Sequence, residues 1–143
     1  MSYEEKGVWV FLVIAVAGYG VYLGLVLPRL AAGASVDEVD WVVPMLWTIG
    51  GAIVAAIVGR ILVEIVSPSD STRGDVRDKE IDRLGERVGN SFIVIGGVGA
   101  LVLAMLDADV FWIANVLYLG FVLAGILASI TKLVAYRKGV PTW

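Results

Sequence analysis

Residues 7 to 27 read GVWVFLVIAVAGYGVYLGLVL, an unbroken run without one charged side chain. About 20 apolar residues in a helix cross the ~30 Å of hydrocarbon in a bilayer. This run meets that length and stops at Pro28-Arg29. Three further stretches repeat the pattern. Residues 41 to 66 stay uncharged until Arg60 and Glu64, residues 88 to 107 close on Asp107, and residues 110 to 135 are uncharged until Lys132. The sequence therefore predicts an all-α integral membrane four-helix bundle in one domain. Its spans lie near 7–29, 41–66, 88–107 and 110–135, with a charged connector at 67–87.

Composition supports this. Of 143 residues, 59% are hydrophobic and mean hydropathy is +0.87. Cysteine and histidine are absent, which excludes disulfides, thiol nucleophiles, common zinc sites and imidazole proton relays. The first run is longer than the ~7–15-residue apolar region of a secretory leader. Its start, MSYEEKG, is net acidic. It is expected to persist as a span despite the small residues AAGAS at 31–35.

Basic residues set the expected orientation. With both termini on one side, that side holds Lys6, Arg60, Arg73, Arg77, Lys79, Arg83, Arg87, Lys132, Arg137 and Lys138, and the other holds only Arg29. The positive-inside rule then puts both termini and the connector in the cytoplasm and the chain in the plasma membrane as a multi-pass protein. Trp41, Trp47 and Trp112 would form an outer aromatic belt, and Tyr3, Trp9, Tyr136 and Trp143 an inner one.

The two halves of the chain can be superposed. Residues 5–18, EKGVWVFLVIAVAG, lie over 86–99, ERVGNSFIVIGGVG, and 51–59, GAIVAAIVG, over 120–128, GFVLAGILA. This suggests a parallel repeat of hairpins about an axis along the membrane normal.

Small residues recur at four-residue spacing: Gly20 and Gly24; Gly51, Ala55 and Gly59; Gly96 and Ala100; Gly120 and Ala124. Such residues let helix backbones approach where lipid supplies no hydrophobic drive. They are expected either to pack helices within one bundle or to join copies or partners. Tyr19, Tyr22, Asn115 and Tyr118 are the polar residues that could line a cavity, with Asn115 expected to make an interhelical hydrogen bond of roughly 1 kcal/mol. Arg60 and Glu64 share a helix face near the inner boundary and are expected to snorkel and pair with each other.

The connector and the start of the third helix read RGDVRDKEIDRLGERVGN over 73–90, with basic and acidic residues in equal number. Helical spacing predicts one continuous helix from about 75 to 106, capped by Asp75, projecting ~15 Å beyond the hydrocarbon. Asp75–Lys79, Glu80–Arg83 and Arg83–Glu86 fall at pairing distance along it. It is either a solvated, topology-setting extension or a docking surface built from Arg77, Asp78, Glu80, Arg83, Glu86 and Arg87.

These residues also carry a resemblance. Arg77, Asp78, Glu80, Ile81 and Gly85, with Val76 in place of the usual glutamate, match the motif R-D-x-E-I-x-x-x-G. Asp109, Phe111, Trp112, Ile113, Tyr118, Leu119, Phe121, Val122 and Leu123 match D-x-F-W-I-x-x-x-x-Y-L-x-F-V-L, and Ala135, Tyr136, Arg137 and Gly139 match the tail. Over residues 75–139 the chain resembles a family of small bacterial and archaeal four-helix membrane proteins of unknown function. The resemblance implies this architecture and a regulatory setting beside helix-turn-helix regulators; it brings no catalytic or ligand residues.

The expected function is that of a small non-enzymatic membrane protein acting by helix association or partner docking, as an accessory, sensor or regulatory component. The alternative is a small dimeric transporter or channel with a polar cavity between the hairpins, although no carboxylate or lysine lies near the bilayer centre. No triad or metal-ligand grouping appears, so no enzyme, cofactor or metal is expected. Asp37, Glu38, Asp40, Asp107 and Asp109 read as solvated loop acids, with a divalent cation between the hairpins as the minor reading. The expected partners are the bilayer, a second copy, or another membrane or cytoplasmic protein. Basic residues matched by acids argue against nucleic acid. Lys132, Arg137 and Lys138 could meet anionic lipid at ~1 kcal/mol each.

Overall fold

The computed structural model describes residues 1–140; Trp143, assigned above to the inner aromatic belt, lies outside the described residues. Four helices form: α1 (Tyr3–Ala31), α2 (Val42–Val66), α3 (Val76–Met105) and α4 (Val110–Lys138). All four are long and apolar enough to cross a membrane, which makes the chain a multi-pass membrane protein. No described residue lies in a strand.

Local chemistry accounts for the boundaries. Ser2 caps α1 by accepting from the Glu5 amide at 3.1 Å. Asp75 and Asp78 form a reciprocal capping box at the start of α3, with bonds of 2.7 and 3.0 Å. The long third helix and its predicted cap are therefore both present. Asp107 turns the chain between α3 and α4 with φ of 52°.

Contacts between Glu4 and Arg60, Lys6 and Ser67, and Arg77 and Tyr136 bring the start of α1, the end of α2, the start of α3 and the end of α4 to one end of the molecule. This is the terminal end; the 32–41 and 106–109 connections form the loop end. The helices pack in the order α2, α1, α4, α3, with α3 against α4 the tightest pair. A two-fold relation between the hairpins would map the α1–α4 contact onto α3–α2. Those two helices form no comparable contact, so the sequence repeat is not carried into a symmetric arrangement.

The buried apolar centre sits near the loop end, where Tyr22, Val26, Val39, Phe111 and Tyr118 cluster. Trp41 stacks edge-on against Phe111 with ring centroids 5.8 Å apart, extending this layer to the interface. On α2 only Thr48 is buried. The remaining apolar surface of that helix suits hydrocarbon.

Candidate functional site

Three groupings stand out: a seam of small residues, a hydroxyl–amide cluster within the membrane, and a charged layer at the terminal end.

The seam joins α3 to α4. A β-carbon on Gly96 would lie 3.0 Å from the Gly120 α-carbon, and one on Gly89 would lie 3.2 Å from the Ala124 carbonyl oxygen. Gly85 lies under the Lys132 stem and 3.0 Å, by the same measure, from the Ala128 carbonyl oxygen. Ala100 and Ala124 are buried along the same line. The helix-packing role expected for Gly96 and Gly120 is present. Gly59 also packs, against Val10 of α1. The expectation of packing inside the bundle fails for Gly20, Gly24 and Gly51, which have nothing within 4 Å of a β-carbon, and Ala55 is exposed. Spacing alone places small residues on a helix face; packing requires a second helix opposite that face.

The hydroxyl–amide cluster ties α1, α2 and α4 together. The Tyr22 hydroxyl donates to Asn115 Oδ1 at 2.5 Å, and Asn115 Nδ2 donates to the Phe111 carbonyl at 2.8 Å. The Thr48 and Tyr118 hydroxyls are 3.1 Å apart, and Thr48 also bonds the Pro44 carbonyl at 2.9 Å. Tyr118 packs edge-on against both Tyr19 and Tyr22, with centroids 5.2 and 5.0 Å apart. The interhelical bond expected of Asn115 is present. Of the four residues expected to line a polar cavity, Tyr19 and Tyr118 border a cavity, but an apolar one, and Tyr22 and Asn115 border none among the described residues. Tyr22 is 0% exposed and engages Asn115, because an unpaired polar group in hydrocarbon is costly and the two satisfy each other. Thr48 is the member of this cluster that sequence reasoning passed over; a threonine four residues after a proline gave no sign of reaching α4.

The space near this cluster is apolar instead. α1 forms the floor of a groove between α2 and α4, with a cavity of about 220 Å³ bounded by Phe11, Ile14, Gly18, Tyr19, Ala52 and Ala56 among others. Phe11 lies across Gly125 at its terminal-side end. Beyond Phe11 the groove becomes polar, a second cavity of about 320 Å³ reached by Glu4, Arg60, Asp82, Ser129 and Lys132.

At the terminal end the charges pair between helices rather than along them. Arg60 bonds Glu4 of α1 at 3.0 Å, and its guanidinium carbon sits 4.2 Å from the centre of the Tyr3 ring. Glu64 accepts from the Ser69 amide and hydroxyl at 2.6 and 3.0 Å and faces Lys6 at 3.8 Å. The expected Arg60–Glu64 pair is thus replaced by partners on other segments. Lys132 pairs with Asp82. The Arg77 guanidinium donates to the Tyr136 carbonyl at 2.9 Å, and the Tyr136 hydroxyl donates to Asp78 at 2.8 Å. Ile81 is fully buried beneath this layer.

None of the pairs Asp75–Lys79, Glu80–Arg83 or Arg83–Glu86 forms among the described residues. Such exposed pairs gain only a few tenths of a kcal/mol against side-chain entropy. Glu80, Arg83, Glu86 and Arg87 remain exposed without a side-chain partner, whereas Arg77 and Asp78 are engaged with α4. Among the described residues no three acids gather into a cation site, so the loop acids at 37–40 and 107–109 stand apart as metal ligands.

The chain matches no protein-family model, no curated protein and no solved structure.

Proposed function

We propose that this chain is a non-enzymatic protein of the cytoplasmic membrane that acts by association, using the joined ends of α3 and α4 as a docking platform for a cytoplasmic partner. One observation carries the reading: the charges of this projection are sorted by side. Those facing the bundle, Arg77, Asp78 and Asp82, are bonded to Tyr136 and Lys132 of α4. Those facing away, Glu80, Arg83, Glu86 and Arg87, are exposed and unpaired; Lys79, beside Asp78 and Tyr136, is the exception, exposed and unpaired on the bundle side. A helix that only marks topology needs basic residues and has no use for a rigid brace or for matching acids. A braced helix presents its outward charges at little further entropy cost, which favours a complementary protein surface.

Reversing the outward charges (Arg83→Glu with Arg87→Glu) should abolish site-specific crosslinks formed in cells from a photoreactive residue at position 80. Folding should be unaffected, since both side chains are exposed and form no ion pair among the described residues. Unchanged crosslinks would refute the platform. A reporter fused after residue 140 should be active in the cytoplasm; activity only outside it would remove the partner's compartment. The exposed Gly20, Gly24, Gly51 and Ala55 supply the surface by which two copies would associate within the membrane. Transport is the weaker reading, because four of the polar side chains in the spans, Tyr22 with Asn115 and Thr48 with Tyr118, are spent on one another and the groove beside them is apolar.

A further inference from the structure

The groove along α1 has two sections of opposite chemistry, which the sequence reading touched through Tyr19 and Tyr118 in one and Arg60 and Lys132 in the other. The section nearer the loop end is apolar, with Ile53 of α2 and Phe121 of α4 at its edges, both more than half exposed. The section nearer the termini holds two cations, Arg60 and Lys132, and two acids, Glu4 and Asp82. From Tyr19 to Gly7 the groove spans ~18 Å at 1.5 Å per residue. That is close to the ~15 Å of hydrocarbon in one leaflet.

The polar section is not saturated. Arg60 bonds Glu4 through Nη2 alone, which leaves Nη1 without a partner among the described residues; its Nε, also unpartnered, is covered where the guanidinium lies over Gly7. Glu4 and Asp82 each bond through one carboxylate oxygen, Oε2 and Oδ1, which leaves Oε1 and Oδ2 open. Lys132 uses one of its ammonium protons on Asp82. Spare donors and spare acceptors thus stand side by side at zero net charge. A purely anionic head would meet the two acids, and a quaternary ammonium would offer them no N–H. A head that carries both a phosphate and a primary ammonium satisfies both sets.

We propose that the groove is a specific site for one phospholipid of the terminal-side leaflet. One of its two acyl chains lies over Phe11 toward Tyr19. Its phosphate meets Arg60 and Lys132, and its primary ammonium meets Glu4 and Asp82.

The test uses the full chain in detergent, stripped of lipid. Native mass spectrometry reads retention of dioleoyl phosphatidylethanolamine and of its mono-, di- and trimethylated forms. Retention should fall stepwise with each methyl and by roughly tenfold across the series, the worth of one charge-assisted hydrogen bond. Equal retention across the series, or tighter retention of phosphatidylglycerol, would overturn the proposal. Arg60→Gln with Lys132→Gln should weaken the ethanolamine lipid, and Ala56→Phe, which fills the apolar section, should abolish its retention. Arg83→Gln, outside the groove, should leave it unchanged. Glycerophosphoethanolamine in excess should not displace the lipid; displacement would mean that the head alone is recognised and that the groove holds no chain. The methyl series needs no altered protein, so a misfolded variant cannot hide failure.

Discussion

The two hairpins carry the same small-residue spacing and use it differently. In α3–α4, Gly85, Gly89, Gly96 and Ala100 run along one face, and Gly120, Ala124 and Ala128 run opposite them, so backbone meets backbone along the full contact. In α1–α2, Gly20 and Gly24 meet nothing, and of the α2 series Gly51 and Ala55 border an open groove beside Val21 and Leu25 of α1 without closing onto it. There Gly59 and Gly18 pack against Val10 and Ala52, and Gly7 lies under the Arg60 guanidinium. A stripe on one helix is a possibility of close packing. A stripe on both, in register, is the packing itself, because dispersion gain falls off steeply once the backbones stand apart.

The largest expected effect follows at the tight seam. Gly120→Leu should destabilise the fold by about 3 kcal/mol, the upper end of overpacking costs, and lower the thermal midpoint in detergent. An unchanged midpoint would mean that the helices are not in this register. The matching substitution on the open hairpin, Gly20→Leu, should stay within about 0.5 kcal/mol of the parent. If it shifts the chain from dimer to monomer in analytical ultracentrifugation, the unused stripe belongs to an interface between copies.

Next is the cluster that binds the two hairpins. Tyr22→Phe removes the donor to Asn115 and should cost about 1 kcal/mol. Asn115→Leu should cost a similar amount, and the double variant should cost less than the sum, since the two groups share one bond. Strict additivity would show that they are not coupled. Smallest is Arg83→Gln on the outward face of α3, expected to change stability by less than about 0.5 kcal/mol while weakening partner capture.

Much of this architecture was legible from short-range rules. Run length gave the four helices, and Asp75 with Asp78 gave the start of α3. A lone amide in the fourth span implied an interhelical bond. The rest depends on what lies opposite a residue, which one sequence does not state. Glycine spacing could not distinguish the packed Gly96 from the open Gly24. Charge spacing favoured Arg60–Glu64 and pairs along the connector, yet at the terminal end four helices converge and offer better-oriented partners from elsewhere: Glu4 for Arg60, Ser69 for Glu64, Asp82 for Lys132. Thr48 carried no signal at all, since its bond to Tyr118 exists only because α2 and α4 flank α1.

The fastening of α2 has a mechanical corollary. This helix is clasped near one end by Thr48 to Tyr118 and near the other by Arg60 to Glu4, and between the clasps it borders the open groove. Between them only the small-residue contacts of Ala52 with Gly18 and Gly59 with Val10 hold it to α1, so it can bow outward on the groove side without unfolding. The width of the slot beside it would then be governed by one hydroxyl contact, one ion pair and the two small-residue contacts between them. Spin labels on cysteines introduced at Val54 and Leu119, in a chain that has none of its own, would register that breathing as a broadened distance distribution. Thr48→Val should widen it further.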